Sequence, residues 1–91
     1  MKLDELEGDV QADALARLRR IEGQVGGLIR MIESGRECRD VVRQISAASR
    51  AMDQVGFKLL ASALRSCARD EQGARAKDTE QELERLFLQL A

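Results

Sequence analysis

The feature that most constrains the fold is the segment from Cys38 to Cys67, an uninterrupted helical pattern with the chain's only two cysteines at its ends. Apolar residues recur there at spacings of three and four, the period of one face of an α-helix. The thiols are 29 residues apart, so at roughly 1.5 Å of rise per residue they would lie ~43 Å apart on a straight helix. They therefore cannot meet within one subunit.

Two copies of this helix, packed antiparallel about a two-fold axis, would bring the thiols together. Cys38 of one protomer would lie beside Cys67 of the partner subunit, and the axis would pass near Met52 and Asp53, midway between the two cysteines. Isologous dimers of this kind are the commonest oligomers. The spacing thus predicts two equivalent thiol pairs per dimer.

Composition indicates a small all-α protein with a single domain spanning residues 1–91. The chain has no proline, tryptophan, tyrosine or histidine, and charged residues make up 34% of it. A chain of this length buries only a modest fraction of its surface, so oligomerisation is expected. No apolar run could span a bilayer, and the acidic N-terminal stretch lacks the regions of a signal peptide, which predicts a cytoplasmic protein without membrane contact.

Hydrophobic periodicity predicts three helices behind a short arm. Asp13 and Thr79 are candidate N-caps for the first and third helices, and Gly35 is a candidate C-cap between the first two. The short connection after Gly35 predicts that helices 1 and 2 form an antiparallel hairpin. The predicted elements are a flexible acidic arm over 1–11, helix 1 over 12–34, helix 2 over 39–71 and helix 3 over 79–90.

The charges are distributed unevenly along the chain. Residues 17–69 carry eleven cations and five acids, whereas both ends are acidic. A basic body of this kind favours nucleic acid as a partner, because each cation placed on a phosphate displaces condensed counterions. Since the basic helices carry a single aromatic residue, Phe57, base stacking on single strands is unfavoured and double-stranded DNA is the better expectation. The alternative is that these charges only solvate helix faces.

The two cysteines suggest metal or redox chemistry, because permanent disulfides are rare in cytosolic proteins. Cys38 is predicted to lie at or just before the first turn of helix 2, beside Arg36 and Arg39, where a thiolate is favoured; this makes it the better nucleophile. Without histidine, the usual nickel, cobalt and zinc sites lack their ligands. Two thiolates could instead hold Cu(I), or exchange sulfur by disulfide-type attack. Nothing resembles an enzyme's acid, base or oxyanion site, and each cysteine could also be a small buried hydrophobe.

The blocks RLRRIEGQ and C-x-D-V-x-x-Q-I-S-A, followed by LLASALRSC, resemble the copper-sensitive operon repressor family of bacterial transcriptional regulators. The resemblance covers residues 17–69. It implies an antiparallel four-helix-bundle dimer that assembles into a disc-like tetramer, a dimer of dimers. It also implies repression by operator binding without a helix-turn-helix, and release of the DNA when an inducer reacts between protomers, at the predicted Cys38 and Cys67 pairs. The DNA-binding residues expected from it are Arg17, Arg19, Arg20, Arg43, Arg50 and Lys58.

Departures from the family pattern bear on the inducer. Copper-sensing members have a histidine four residues before the second cysteine, where this chain has Ala63. Nickel and cobalt sensors need several histidines, and formaldehyde sensors resemble one another in a proline at position 2, where this chain has Lys2. Two cysteines without histidine resemble the persulfide-sensing branch of the family.

The resemblance therefore implies a repressor that binds DNA when reduced and releases it when sulfane sulfur donors, persulfides or polysulfides, link Cys38 to Cys67 of the partner subunit. No cofactor is expected under this interpretation. The alternative within the family is a Cu(I) sensor with a two-thiolate site on Cys38 and Cys67. An alternative from another class is a helical protein-interaction module whose cysteines are incidental.

Overall fold

The computed structural model describes residues 2–6, 8–69 and 73–91. Within these ranges the chain is all-helical, with three α-helices and no strand, which confirms the prediction of an all-α protein with three helices. A single 3-10 turn precedes the α-helices. The elements are the 3-10 turn Leu3–Glu5, α1 over Val10–Glu33, α2 over Cys38–Arg69 and α3 over Gly73–Leu90.

The start of α1 differs from the sequence prediction. The helix begins at Val10, because the carbonyl of Asp9 already accepts a hydrogen bond from the Asp13 backbone N–H at 2.8 Å. Asp13 therefore lies inside the first turn and does not cap it. The residues before the helix were predicted to be a flexible arm, yet they contain the 3-10 turn and place Leu6 in a buried position.

The end of α1 follows from one glycine. Gly35 has a φ of 73°, a left-handed conformation that glycine adopts without steric cost. The backbone N–H of Arg36 donates to the Met31 carbonyl at 3.0 Å, and that of Gly35 donates to the Ile32 carbonyl at 3.2 Å. These two bonds form a Schellman motif and satisfy the last carbonyls of the helix. The predicted role of Gly35 as the C-cap glycine is thereby confirmed.

The later helix boundaries also depart from the predicted ones. α2 begins at Cys38 and is described to Arg69, so its predicted end at 71 lies outside the described residues. α3 begins at Gly73, six residues before the predicted N-cap Thr79. The intervening segment GARAKD contains alanine, arginine and lysine, which are strong helix formers. A glycine at the end of a helix reduces its stability only slightly. The polar composition that suggested a loop is therefore compatible with a helical turn.

α1 and α2 pack through a small apolar core. Ala14 and Ile21 of α1 and Val55 of α2 are its buried members. Ala51 and Leu59, one turn to either side of Val55, pack against them. The first half of α1 is thus joined to the second half of α2, which aligns the basic residues of the two helices.

α3 packs on the side of α2 opposite to the one that contacts α1. The rings of Phe57 and Phe87 meet edge to face, with centroids 5.2 Å apart and planes inclined at 63°, a favourable arrangement for an aromatic pair. Leu90 lies over Gly56, the residue immediately before Phe57 in α2. These contacts hold the C-terminal end of α3 at the middle of α2.

The chain is a single layer of helices. Its extents are 56 × 24 × 13 Å, and the smallest is close to the ~10–12 Å diameter of one helix with its side chains. A single layer has no second layer to cover it, so large apolar side chains remain exposed: Val25, Ile29 and Ile32 of α1 and Val42, Ile45 and Met52 of α2. We call these six residues the apolar face. Because a second copy of the chain could bury these side chains, we expect the chain to associate with another protomer.

Candidate thiol site and basic cleft

The two thiols lie at opposite ends of α2 in different environments. Cys38 is the first residue of the helix and is exposed, whereas Cys67 lies near its end and is only 8% exposed. Both are free thiols in the single chain. A reaction that joins the two types of thiol therefore needs a second protomer.

Ala63 lies one helical turn before Cys67, at the position where the resemblance expects a metal-binding histidine. Residues four apart share a helix face, and Ala63 is buried with 7% of its surface exposed. Its methyl group offers no ligand atom. Within residues 2–6, 8–69 and 73–91, no group of three or more cysteine, histidine, aspartate or glutamate side chains could hold a metal ion.

Two of the predicted DNA-binding residues come together between helices. Arg17 of α1 and Lys58 of α2 line one open cavity of about 460 Å³, and Arg65 of α2 lines it as well. We call this cavity, with its three cations, the basic cleft. Its floor is apolar and consists of Val10, Ala14, Val55 and Leu59.

Arg65 is a residue of this cleft that the sequence prediction missed. It follows Lys58 by seven residues, two helical turns, so both side chains occupy the same face of α2. That spacing could have identified it once Lys58 was chosen. The other predicted DNA-binding residues lie outside the cleft lining and are exposed on their helices: Arg19, Arg20, Arg43 and Arg50.

Arg17 forms an ion pair with an acidic residue of its own helix. Its Nε donates a hydrogen bond of 2.8 Å to Oδ2 of Asp13, one turn earlier. This hydrogen bond lowers the pKa of the Asp13 carboxyl below its ordinary value of 3.8. Desolvation acts in the opposite direction, and the charges of Arg17, Lys58 and Arg20 contribute further to the lowering. The carboxylate thus interacts with cations from both helices.

Comparison with known proteins identifies the family of the chain. Residues 10–89 match the family model described as metal-sensitive transcriptional repressor. The chain belongs to this family. Because the family consists of transcriptional repressors, the resemblance found in the sequence is confirmed at the level of the family, and so is the prediction that the protein is not an enzyme.

Three relatives of this family member are named copper-sensing transcriptional repressors. RicR of Mycobacterium tuberculosis (strain ATCC 25618 / H37Rv) is 51% identical over 51 residues, which cover 56% of this chain and 53% of RicR. CsoR of Bacillus subtilis (strain 168) is 41% identical over 71 residues, 78% of this chain and 68% of CsoR. CsoR of Mycobacterium bovis (strain BCG / Pasteur 1173P2) is 37% identical over 54 residues, 59% of this chain and 45% of that protein.

The matched region spans about half the length of RicR and of the mycobacterial CsoR. None of these three relatives carries a name that supports the persulfide-sensing branch. Their names favour the Cu(I) alternative instead. Among the described residues, none of the helices is long and apolar enough to cross a membrane.

Proposed function

We propose that this family member is a cytoplasmic repressor that binds double-stranded operator DNA and releases it when an effector joins Cys38 to Cys67 of the partner subunit. The observation that carries the proposal is the arrangement of the thiols along α2. One thiol is exposed at the first residue of the helix and the other is buried near its end, while the apolar face that would pair two such helices stands exposed.

The proposed assembly is a symmetric one. α1 and α2 form an antiparallel hairpin, two hairpins form an antiparallel four-helix-bundle dimer, and two dimers form a disc-like tetramer. The support for the dimer is the apolar face, since a single layer of helices leaves residues such as Ile32 63% exposed. Burying such residues against a second copy would remove apolar surface from water, at roughly 25 cal/mol per Å².

The proposed DNA surface contains the basic cleft and the exposed arginines around it. Arg17, Lys58 and Arg65 would contact phosphates from two helices at once, which fixes the position of the protein on the duplex. Arg19, Arg20, Arg43 and Arg50 would extend this surface. Binding through phosphates predicts a strong decrease in affinity with salt.

Cu(I) is the effector that the relatives favour, because the three described above are all named copper-sensing. The proposed ligands are the thiolates of Cys38 and of Cys67 of the partner subunit. Soft thiolates suit Cu(I), and two of them complete a two-coordinate site without a third ligand. Ala63 supplies none.

Sulfane sulfur is the second candidate effector, and the observation in its favour is Ala63. A persulfide donor would transfer its outer sulfur to the Cys38 thiolate and leave as a thiol. The thiolate of Cys67 of the partner subunit would then displace hydrosulfide from the Cys38 persulfide, closing a disulfide between the protomers. Two persulfidated cysteines would give a trisulfide with loss of hydrogen sulfide. Neither reaction needs a third ligand at position 63.

One experiment separates the two effectors. The reduced protein and its Cys38→Ser variant, bound to DNA, are treated either with Cu(I) in a competing chelator or with inorganic polysulfide. Mass spectrometry then follows covalent linkage, and fluorescence anisotropy follows DNA release. Under the Cu(I) proposal, the metal releases DNA and is retained against the chelator with no covalent dimer. Under the sulfur proposal, polysulfide releases DNA and yields a dimer carrying inserted sulfur or a disulfide. The Cys38→Ser variant should respond to neither.

Failure to bind duplex DNA would contradict both proposals. The remaining interpretation would then be a helical protein-interaction module. The relevant measurement is binding by the wild-type protein across a salt series, because a repressor held by phosphate contacts loses affinity steeply as salt rises. A flat salt response would therefore count against the DNA surface proposed above.

A further inference from the structure

Arg17 has a partner in the free protein at the place where DNA binding is proposed. Its guanidinium lines the basic cleft, yet its Nε donates to the Asp13 carboxylate at 2.8 Å. Both partners remain partly exposed, with 31% of the Arg17 side chain and 51% of the Asp13 side chain accessible. A DNA phosphate could therefore reach the same guanidinium.

The Asp13 carboxylate resembles a phosphate in what it offers Arg17. Both are anionic oxygen acceptors that form short, charge-assisted hydrogen bonds with a guanidinium. Asp13 lines the basic cleft, and the charge of Lys58 on α2 adds to the lowering of its pKa that the Arg17 hydrogen bond causes. The carboxylate is thus an anion placed among the cations that a phosphate would contact.

The other two cations of the basic cleft are not engaged in this way. Within the described part of the chain, the ion pairs are those of Arg17 with Asp13 and of Arg36 with Asp40, and neither includes Lys58 or Arg65. Asp9 also lines the cavity but forms no ion pair there. Asp13 is therefore the acid that competes directly for a cation of the cleft.

We propose that Asp13 is an intramolecular competitor of operator DNA, whose carboxylate binds Nε of Arg17 in the free protein and opposes the binding of a phosphate to the same guanidinium. This inference rests on the proposed DNA binding. Asp13 lowers the affinity of the repressor for every duplex, because the contact it opposes is made to the backbone and not to bases. The wild-type protein consequently binds duplex DNA less tightly than its cations would if Asp13 did not oppose them.

The test uses the full chain and a duplex selected by the wild-type protein from a random-sequence pool. Asp13→Asn removes the charge and Asp13→Ala removes the acceptor. Glu80→Gln, on exposed α3 surface, gives the same change in net charge away from the cleft. We expect both Asp13 variants to bind about two- to fivefold more tightly than Glu80→Gln, the range of an exposed ion pair. The slope of log affinity against log salt should steepen by about one.

The second arm tests whether the effect acts through Arg17. In an Arg17→Gln background, Asp13→Asn should bind DNA no more tightly than Glu80→Gln in the same background, because the ion pair with Arg17 no longer exists. Circular dichroism of each variant checks that the helices are intact. Tighter binding that persists without Arg17, or Asp13 variants that match Glu80→Gln or bind more weakly, would overturn the inference while leaving DNA binding established. A wild-type protein that selects and binds no duplex would overturn the proposed function, and the inference with it.

Discussion

Leu90, the last residue of α3, packs directly on the backbone of Gly56 in α2. A Cβ atom at position 56 would lie 2.8 Å from Cδ1 of Leu90, closer than Cβ atoms approach other atoms in proteins, and 3.3 Å from Cδ2. The glycine therefore creates the space that lets the end of α3 dock on the middle of α2. The Phe57 and Phe87 rings close the same contact.

The first prediction is that Gly56→Ala stabilises the protein less in the wild-type background than in a Leu90→Ala background. In the wild-type background the new methyl group displaces the tip of the flexible Leu90 side chain, and this repacking offsets part of the gain in helix propensity. In a Leu90→Ala background the clash is absent, so the full gain of about 1 kcal/mol in helix propensity remains. Urea unfolding of the four variants measures both values. An equal effect of Gly56→Ala in the two backgrounds would contradict the close packing of Leu90.

The second prediction concerns the titration of Asp13. Its pKa lies below 3.8 in the folded protein, mainly because Arg17 donates a hydrogen bond to the carboxylate. Since the folded pKa is the lower one, the ion pair stabilises the fold above the unfolded pKa and is lost as pH falls through the folded pKa. NMR titration of the side-chain carboxyl should give a midpoint below 3.8 that rises in Arg17→Gln. The control Arg85→Gln, on α3, should leave the midpoint unchanged.

The third prediction concerns the apolar face. Ile45 is 50% exposed in the single chain, and the proposed dimer would bury it. Ile45→Glu should yield monomers, because a buried unpaired carboxylate carries a large desolvation cost. Sedimentation velocity measures the change. Gln44→Glu adds the same charge at the exposed neighbouring residue on a different side of the helix, and it should stay associated. Monomeric wild-type protein would argue against the dimer.

The fourth prediction is a gain of metal affinity in Ala63→His. Position 63 lies on the same helix face as Cys67, so an imidazole there can act as a third ligand to Cu(I) held by the two thiolates. We expect Cu(I) affinity to rise by at least the ~10-fold that changes around metal ligands produce, as measured by chelator competition. Ala61→His, with the same side chain at an exposed position, should show no gain. Equal affinities in the two variants would place residue 63 away from the thiol site.

The fifth prediction is unequal reactivity of the thiols. In the reduced native protein, iodoacetamide should alkylate Cys38 before Cys67, because Cys38 is exposed and Cys67 is buried. Peptide mass spectrometry over a time course measures both rates. The difference should disappear in concentrated urea, where burial is lost. Equal rates in the native protein would contradict the burial of Cys67.

Local patterns in the sequence determined much of this protein. The apolar period of three and four identified α1 and α2, and Gly35 marked the end of α1, because helix geometry and the left-handed cap depend only on neighbouring residues. The blocks around Cys38 identified the family, and the absence of histidine narrowed its chemistry to two thiols.

Only the tertiary structure decided which distant residues meet. The docking of α1 on α2 brought Arg17, Lys58 and Arg65 into one cleft, and the docking of α3 explained why position 56 is a glycine. The flat single layer left Ile45 and its neighbours exposed. These features depend on how helices pack against one another, and helical periodicity determines which face is apolar but not which surface of another helix it contacts.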